Sequence, residues 1–211
     1  MKFLLATTNE GKIREYRHLL GKAGLRLAEA GYGHAKAGVE FVTLVDVGIT
    51  EKPEETGETC EENAILKAKF YYEKSGLMPT LADDGGLEID ELGGEPGVHS
   101  RRWPGYEAID EELVDYTLEK MKGIPQEKRG AKFIAVLAIA VNAKQVCTFR
   151  GELKGRIAEE PHYPIVPGYP FRSIFYEFKT RRVLSELPLE ELPNGHREQA
   201  VVKALPYLLS L

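Results

Sequence analysis

Residues 81–105 read LADDGGLEIDELGGEPGVHSRRWPG, and this stretch combines the strongest local signals in the chain. Its apolar start predicts the end of a strand, two carboxylates follow at Asp83 and Asp84, and Gly85-Gly86 predicts a turn. Successive side chains on a strand point to opposite faces, so both carboxylates face one cleft only where the chain turns. Acidic groups followed by Arg101-Arg102 suit a metal-bound polyphosphate. A hairpin with acidic turn residues is the alternative that these residues leave open.

Composition describes an ordinary soluble globular protein. The chain has 211 residues, of which 43% are hydrophobic and 29% charged, enough for one domain with a sizeable core. The net charge of -5 gives no support to a nucleic-acid-binding surface. The two cysteines, Cys60 and Cys147, match no metal spacing and favour a reduced, cytoplasmic setting. The apolar run at the N-terminus is too short for a signal peptide or a membrane span.

The first strand and the helix after it form a candidate phosphate site. Residues 2–7 predict a buried strand, and residues 7–12, TTNEGK, lead into a helix that Asn9 can cap. Free backbone N–H groups and the positive end of the helix dipole face an anion at such a place, and Lys12 adds a full charge. A cap with no ligand is the alternative for Asn9.

A second helix is predicted from about residue 60 to residue 75. Thr59 and Glu62 form a capping box before it, and this structural role for Glu62 is favoured over metal binding. Lys67 lies one helical turn after Asn63 on the same face. A solvated surface position is the alternative for this lysine.

Periodicity and turn residues predict the remaining elements. They are strands at 25–30, 41–47, 87–89, 131–142 and 145–153, with the last two forming a hairpin, and helices at 107–122 and from 196 onward. The helix at 107–122 places Ile109 on its apolar face. Pro206 is expected to kink or restart the final helix.

Three segments of the chain resemble the non-canonical purine nucleoside triphosphate pyrophosphatases, also called inosine triphosphate pyrophosphatases. Residues 82–102 are similar to that family's Ala-Asp-Asp-Ser-Gly-Leu, Leu-Gly-Gly-x-Pro-Gly and Ser-x-Arg, except that Gly85 replaces the serine. Residues 6–12 fit its Ala-Thr-x-Asn-x-x-Lys, and residues 55–64 reproduce its Glu-Thr-Gly-x-Thr-x-x-Glu-Asn-Ala.

The resemblance implies a fold and an activity. The fold is α/β, with an elongated mixed sheet and flanking helices, and residues 1–211 form a single domain in two lobes around a central cleft. The activity is Mg²⁺-dependent hydrolysis of inosine- and xanthosine-type nucleoside triphosphates to the monophosphate and pyrophosphate. Family members are commonly homodimers, and neither nucleic acid nor a membrane is expected as a partner.

The resemblance also implies roles for individual residues. Asp84 is expected to be the catalytic carboxylate and a metal ligand, together with Glu54 or, as the alternative, Glu55. The expected substrate contacts are Thr7, Thr8, Asn9, Lys12, Lys67, Gly85, Tyr169, His196 and Arg197.

The C-terminal third departs from the family pattern. The family's Gly-Phe-Gly-Tyr-Asp-Pro-Ile-Phe corresponds to residues 168–175, GYPFRSIF, so that Pro170 replaces a glycine and Arg172 an aspartate. Glu191 aligns with a family lysine. The family's base-reading part is therefore altered, while its phosphate part is kept. Two alternatives follow: a non-catalytic nucleotide-binding paralogue, or a pyrophosphatase with an altered base preference.

Overall fold

The computed structural model describes residues 1–22, 26–27, 39–142, 144–188, 191 and 195–211. The α-helices are α1 (Glu10–Lys22), α2 (Cys60–Lys74), α3 (Asp110–Lys120) and α4 (His196–Ser210). The strands are β1 (Lys2–Leu5), β2 (Arg26–Leu27), β3 (Glu40–Thr43), β4 (Thr80–Ile89), β5 (Pro96–Gly97), β6 (Gly130–Asn142), β7 (Gln145–Ile157), β8 (Phe175–Glu177) and β9 (Arg182–Val183). Among the described residues, no helix has both the length and the apolarity to cross a membrane.

The chain divides into two compact units. The first consists of Met1–Asp84, Ala135–Gly151 and Arg197–Leu211, and the second of Gly85–Ile134 and Glu152–His196. Parallel and antiparallel strand pairs both occur, and helices flank the strands, so the predicted mixed α/β architecture is confirmed.

The first unit is built on parallel strands. β1 pairs with β3 on one side and with β4 on the other, and Leu5 of β1 is level with Leu81 of β4. Buried side chains from these strands, from β6 and from α1 and α4 share one core, which contains Phe3, Leu5, Tyr16, Leu20, Phe41, Leu81, Leu137, Ile139, Ala204 and Leu208. Because parallel neighbours end at the same edge, the segment after β1 and the residues after Leu81 lie side by side.

The second unit is built on antiparallel strands. β5 pairs with the second half of β4, and β8 pairs with both β7 and β9. The core of this unit joins the strands to α3 and contains Leu87, Ile89, Leu113, Val114, Met121, Leu153, Ile157, Phe171, Ile174 and Phe175.

The predicted turn at Gly85-Gly86 is wrong, because β4 continues through both glycines to Ile89. The predicted strand at 87–89 is therefore the end of β4. Gly86 instead allows β5 to lie close to β4, because a Cβ at position 86 would overlap the carbonyl oxygen of Gly97 in β5. A glycine pair is compatible with a turn and with tight strand packing, and the sequence does not distinguish the two.

Other details of the predicted elements also differ from the structure. The strand predicted at 41–47 ends at Thr43, because the Asp46 carboxylate accepts hydrogen bonds from the Thr43 N–H and hydroxyl, both at 2.8 Å, and closes a turn. Ile109 precedes α3 and is 60% exposed, so it is not on the buried face of that helix. Helix α4 continues through Pro206 without restarting. The strand predicted at 25–30 falls largely outside the described residues.

The turn between β8 and β9 is held by a buried carboxylate, Glu177. Its two oxygens accept hydrogen bonds from the Lys179 N–H at 3.0 Å, the Thr180 N–H at 2.7 Å and the Thr180 hydroxyl at 2.9 Å. Burial alone would raise the pKa of Glu177, but these donors outweigh it and lower the pKa below its ordinary value.

We expect Glu177→Gln to lower the free energy of unfolding at pH 7 by about 1–3 kcal/mol, because the new amide faces donors that then lack an acceptor. A depressed folded-state pKa stabilises the protein above the unfolded pKa, about 4.3, and that stabilisation is lost as the pH falls through the folded value. Urea denaturation at pH 7 and pH 3 should therefore show the difference between wild type and variant shrinking at pH 3. The exposed Glu160→Gln is the control. A difference that stays constant between the two pH values would contradict this role for the carboxylate.

Candidate active site

The loop after β1 is ordered by its own side chains. The Asn9 carboxamide oxygen accepts a hydrogen bond from the Lys12 N–H at 3.1 Å, which confirms Asn9 as the cap of α1. The Asn9 N–H donates to the Thr7 hydroxyl at 3.2 Å. These bonds fix the segment at the positive end of α1, where an anion is favoured.

Asp83 lies at the centre of a buried charge network in the first unit. Its side chain is 1% exposed and pairs with Lys12 Nζ at 3.0 Å and with Arg197 Nε at 3.2 Å. Arg197 also donates to Glu15 at 3.2 Å. Lys12 is the most exposed residue of this network, with 17% of its side-chain surface accessible to solvent. The network therefore ends in one cation that can reach a ligand.

The environment keeps Asp83 ionised. Burial by itself raises the pKa of this carboxyl, but the Lys12 and Arg197 cations outweigh burial and hold the pKa well below its usual range. Asp83 is thus a fixed negative charge that organises two cations.

Asp84 has a separate partner. Its Oδ1 accepts a hydrogen bond from Lys67 Nζ at 2.6 Å, and the same ammonium lies 3.2 Å from Glu55 Oε1. Lys67 is only 11% exposed at its side chain, so the alternative of a solvated surface lysine is wrong. Two carboxylates, from β4 and from the segment before α2, therefore converge on one cation.

Burial is the main influence on both partners of this pair. Burial raises the pKa of Asp84 above its ordinary value, and the opposing charge of Lys67 does not cancel the rise. Burial disfavours the charged form of Lys67, but the Asp84 and Asp83 carboxylates outweigh it and raise the pKa of the ammonium. The adjacent aspartates thus have pKa values displaced in opposite directions, which is the pattern of groups with different roles.

The segment that carries Glu55 is tied to the start of α2. The Asn63 carboxamide oxygen accepts a hydrogen bond from the Gly57 N–H at 2.8 Å, and a Cβ on Gly57 would lie 2.6 Å from that oxygen. Glu62 accepts hydrogen bonds from the N–H groups of Glu58 and Thr59, so the predicted capping box is confirmed. Asn63 and the capping box together hold the acidic segment in place.

The carboxylates near Lys67 suit a divalent cation that is shared with a substrate. No group of three or more His, Cys, Asp or Glu side chains in the described part of the chain is arranged to hold a metal ion by itself. Asp84 and Glu55 supply oxygen donors that already surround a cation, the Lys67 ammonium. Mg²⁺ is usually bound by one or two carboxylates and completed by water and phosphate oxygens, so the donor set fits. Within the described residues, no hydrogen bond or ion pair joins Glu54 to Asp84, and Glu54 stays a prediction.

The remaining predicted substrate residues belong to the second unit. The Arg172 guanidinium lies over the Tyr169 ring, 4.0 Å from its centre, and the His196 ring stacks on Phe133 at 5.2 Å between centres. Gly85 is half-buried in β4, directly after Asp84.

Sequence analysis missed the supporting residues Glu15 and Phe133. Glu15 is buried in α1, three residues after Lys12 on the same helix face. This spacing, beside the apolar positions of the helix, was a signal that the sequence offered. Phe133 belongs to a long apolar strand, and nothing in the sequence distinguishes it from its neighbours as the partner of His196.

Comparison with known proteins places the chain in a family. A model of the Ham1 family matches residues 3–207. The dITP/XTP pyrophosphatase of Symbiobacterium thermophilum is 41% identical over 215 residues, which cover 100% of this chain and 96% of that protein. The dITP/XTP pyrophosphatase of Bacillus subtilis is 35% identical over 201 residues, covering 95% of this chain and 93% of that protein.

Solved structures agree with this placement. A HAM1 protein from Coxiella burnetii superposes with a TM-score of 0.82 at 30% identity, covering 100% of both chains. A nucleoside-triphosphatase / dITP/XTP pyrophosphatase from Mycobacterium abscessus superposes with a TM-score of 0.69 at 31% identity, covering 100% of this chain and 98% of that one. The fold is that of the mixed α/β class. The chain belongs to the Ham1 family, and the resemblance seen in its motifs is confirmed.

Proposed function

We propose that this chain is a nucleoside triphosphate pyrophosphohydrolase that acts on inosine- and xanthosine-type purine nucleotides with Mg²⁺. The observation that carries the proposal is the pair of adjacent aspartates, of which one organises Lys12 and the other is held with Glu55 on Lys67. Membership of the Ham1 family and the names of the relatives supply the reaction and the base class.

In the proposed reaction a water oxygen forms a bond to the α-phosphorus and the bond from that phosphorus to the α,β-bridging oxygen breaks. Pyrophosphate leaves, and the proton of the water passes to the Asp84 carboxylate. Burial raises the pKa of Asp84 in the ligand-free site, and a bound divalent cation would favour the ionised carboxylate that accepts this proton. Asp84 and Glu55 would hold Mg²⁺, with Glu54 as the other candidate ligand. The bound ion supplies charge compensation for the phosphate oxygens.

The cations of the first unit receive the triphosphate. Lys12, together with the loop residues Thr7, Thr8 and Asn9, binds phosphate oxygens at the start of α1. Lys67 adds a second ammonium. Arg197 is predicted to neutralise phosphate as well, and its hydrogen bond to Asp83, at 3.2 Å, gives it the further role of holding that carboxylate.

The base-reading segment is the part of the family pattern that this chain alters. Tyr169 and His196 are the predicted contacts, and Arg172 already covers the face of the Tyr169 ring. An arginine in place of the family's aspartate reverses a charge there, and this observation favours altered base preference as the second candidate function. Because buried polar groups discriminate strongly between base edges, the change is expected to affect selectivity more than the reaction type.

Three further expectations carry over from the family resemblance. They are a single domain in two lobes, a homodimer and a cytoplasmic location. Sedimentation analysis of the purified chain tests the dimer directly.

A nucleotide panel tests the proposed function. The chain is incubated with Mg²⁺ and the triphosphates of inosine, xanthosine and the four common nucleosides, and pyrophosphate and orthophosphate are measured separately. We expect pyrophosphate alone, with kcat/KM for inosine or xanthosine triphosphate higher than for the common four by about 10-fold or more.

Other outcomes of the panel have distinct meanings. Faster pyrophosphate release from a common nucleotide would support altered base preference and direct attention to residues 168–197. Folded protein that binds nucleotide without releasing pyrophosphate from any of the six would refute the enzyme and support the non-catalytic paralogue.

A further inference from the structure

Lys67 occupies an unusual position for a lysine predicted to bind phosphate. Its ammonium lies between Asp84 Oδ1, at 2.6 Å, and Glu55 Oε1, at 3.2 Å. Both carboxylates are the donors that fit a divalent cation, so the lysine and the metal compete for the same oxygens. The side chains of Lys67 and Asp84 are 11% and 10% exposed, and that of Glu55 is 38% exposed, so solvent screens the competition weakly at Asp84 and more strongly at Glu55.

We propose, on the basis of the proposed function, that Lys67 excludes a divalent cation from the Asp84–Glu55 pair until triphosphate oxygens draw its ammonium away, so that metal and nucleotide bind cooperatively. A lysine is suited to this exchange because its ammonium is a point charge with three donors on a flexible four-carbon stem. Its backbone is fixed in α2, one turn after the buried Asn63. The side chain can therefore change partners while the carboxylates stay in place.

The exchange changes which cation compensates the two carboxylates. Without ligand, one ammonium compensates the two carboxylates in part, and Lys12 and Arg197 are committed to Asp83. With a triphosphate present, the ammonium has stronger acceptors in the phosphate oxygens. The two carboxylates then face a divalent ion, which compensates both. A site that accepts metal only with its substrate avoids leaving the Asp84 carboxylate engaged by metal when there is nothing to hydrolyse.

Binding of Mn²⁺ to the chain without nucleotide tests the exclusion. Free Mn²⁺ is followed by electron paramagnetic resonance for wild type, Lys67→Met and two controls. Lys12→Met removes a positive charge from the same site, but from the Asp83 side. Lys74→Met removes one from the exposed end of α2, where Lys74 pairs with Glu51 at 3.0 Å.

We expect Lys67→Met to bind Mn²⁺ at least about 10-fold more tightly than wild type, which corresponds to about 1.4 kcal/mol of removed competition. Lys12→Met should change the affinity less, and Lys74→Met should leave it unchanged. Adding Asp84→Asn to Lys67→Met should abolish the gain. Equal Mn²⁺ affinity in wild type and Lys67→Met would overturn the proposal. An equal gain in Lys12→Met would also overturn it, because the loss of any positive charge near the site would then account for the tighter binding. If the methionine variant does not fold, Lys67→Gln keeps a donor for Asp84 and provides the same comparison.

Cooperativity has its own measurement. Water proton relaxation distinguishes protein-bound Mn²⁺ from Mn²⁺ chelated by nucleotide alone. With the α,β-methylene analogue of inosine triphosphate present, the difference in Mn²⁺ affinity between wild type and Lys67→Met should become smaller. A difference in Mn²⁺ affinity that the analogue leaves unchanged would refute the exchange.

Wild type that releases pyrophosphate in the panel assay while Lys67→Met shows no gain in Mn²⁺ affinity refutes the exclusion alone. Absence of pyrophosphate release by wild type refutes the proposed function instead.

Discussion

Asp84→Asn is expected to lower kcat for the best nucleotide by about 10²- to 10⁴-fold, the usual contribution of a positioned general base. The asparagine can still accept the hydrogen bond of Lys67, so the site keeps most of its geometry. It cannot take up a proton from water, and it is a weaker ligand for a metal. The loss of one negative charge beside the triphosphate and the loss of a metal ligand act on KM in opposite directions, so the large change is expected in kcat.

Steady-state pyrophosphate release, with kcat and KM determined separately, checks this expectation. Asp115→Asn on the exposed face of α3 is the matched control and should behave as wild type. A variant at position 84 that retains more than half of the wild-type kcat would remove Asp84 from the proposed mechanism.

The parts of the site that were predictable from sequence are those made by neighbouring residues. The Asn9 cap and the Thr59–Glu62 capping box each join residues three positions apart, and both are present in the structure. Such local patterns are decided by backbone geometry over one helical turn. The placement of Lys67 one turn after Asn63 is likewise decided by the geometry of one helical turn.

The parts that were not predictable are made by residues distant in sequence. Arg197 reaches Asp83 across 114 positions and Glu15 across 182. These contacts depend on how β1, β4 and α4 pack, and local periodicity does not encode that packing. The sequence showed which charged residues are available, but not that Asp83 and Asp84 would have separate partners.

The glycines after the aspartates illustrate a different limit. Gly86 permits the carbonyl of Gly97 to approach β4, whereas the sequence favoured a turn at the same position. Both structures need a residue without a side chain. Only the pairing of β5 with β4, a contact between separate segments, decides between them.

Asp83→Asn is expected to have the largest effect on stability, lowering the free energy of unfolding by about 3–5 kcal/mol, as breaking a buried ion pair does. The Asp83 side chain is 1% exposed, and its loss leaves the charges of Lys12 and Arg197 without their shared partner. Asp84→Asn should cost less, because Lys67 keeps Glu55 as a partner. Urea denaturation of the two variants compares adjacent aspartates directly, and an equal loss in both would contradict the separate roles.

A double-mutant cycle of Asp83→Asn with Arg197→Met measures the interaction energy between these two side chains, separately from the contribution that each makes alone. Removing Arg197 also removes one of the charges that Asp83→Asn leaves uncompensated, so the double variant should be more stable than the sum of the single losses predicts, by about 0.5–3 kcal/mol. Additive losses would mean that the contact at 3.2 Å contributes no coupling. Coupling of this sign, together with the expected loss of turnover in Asp84→Asn, would show that the adjacent carboxylates divide structural support and chemistry between them.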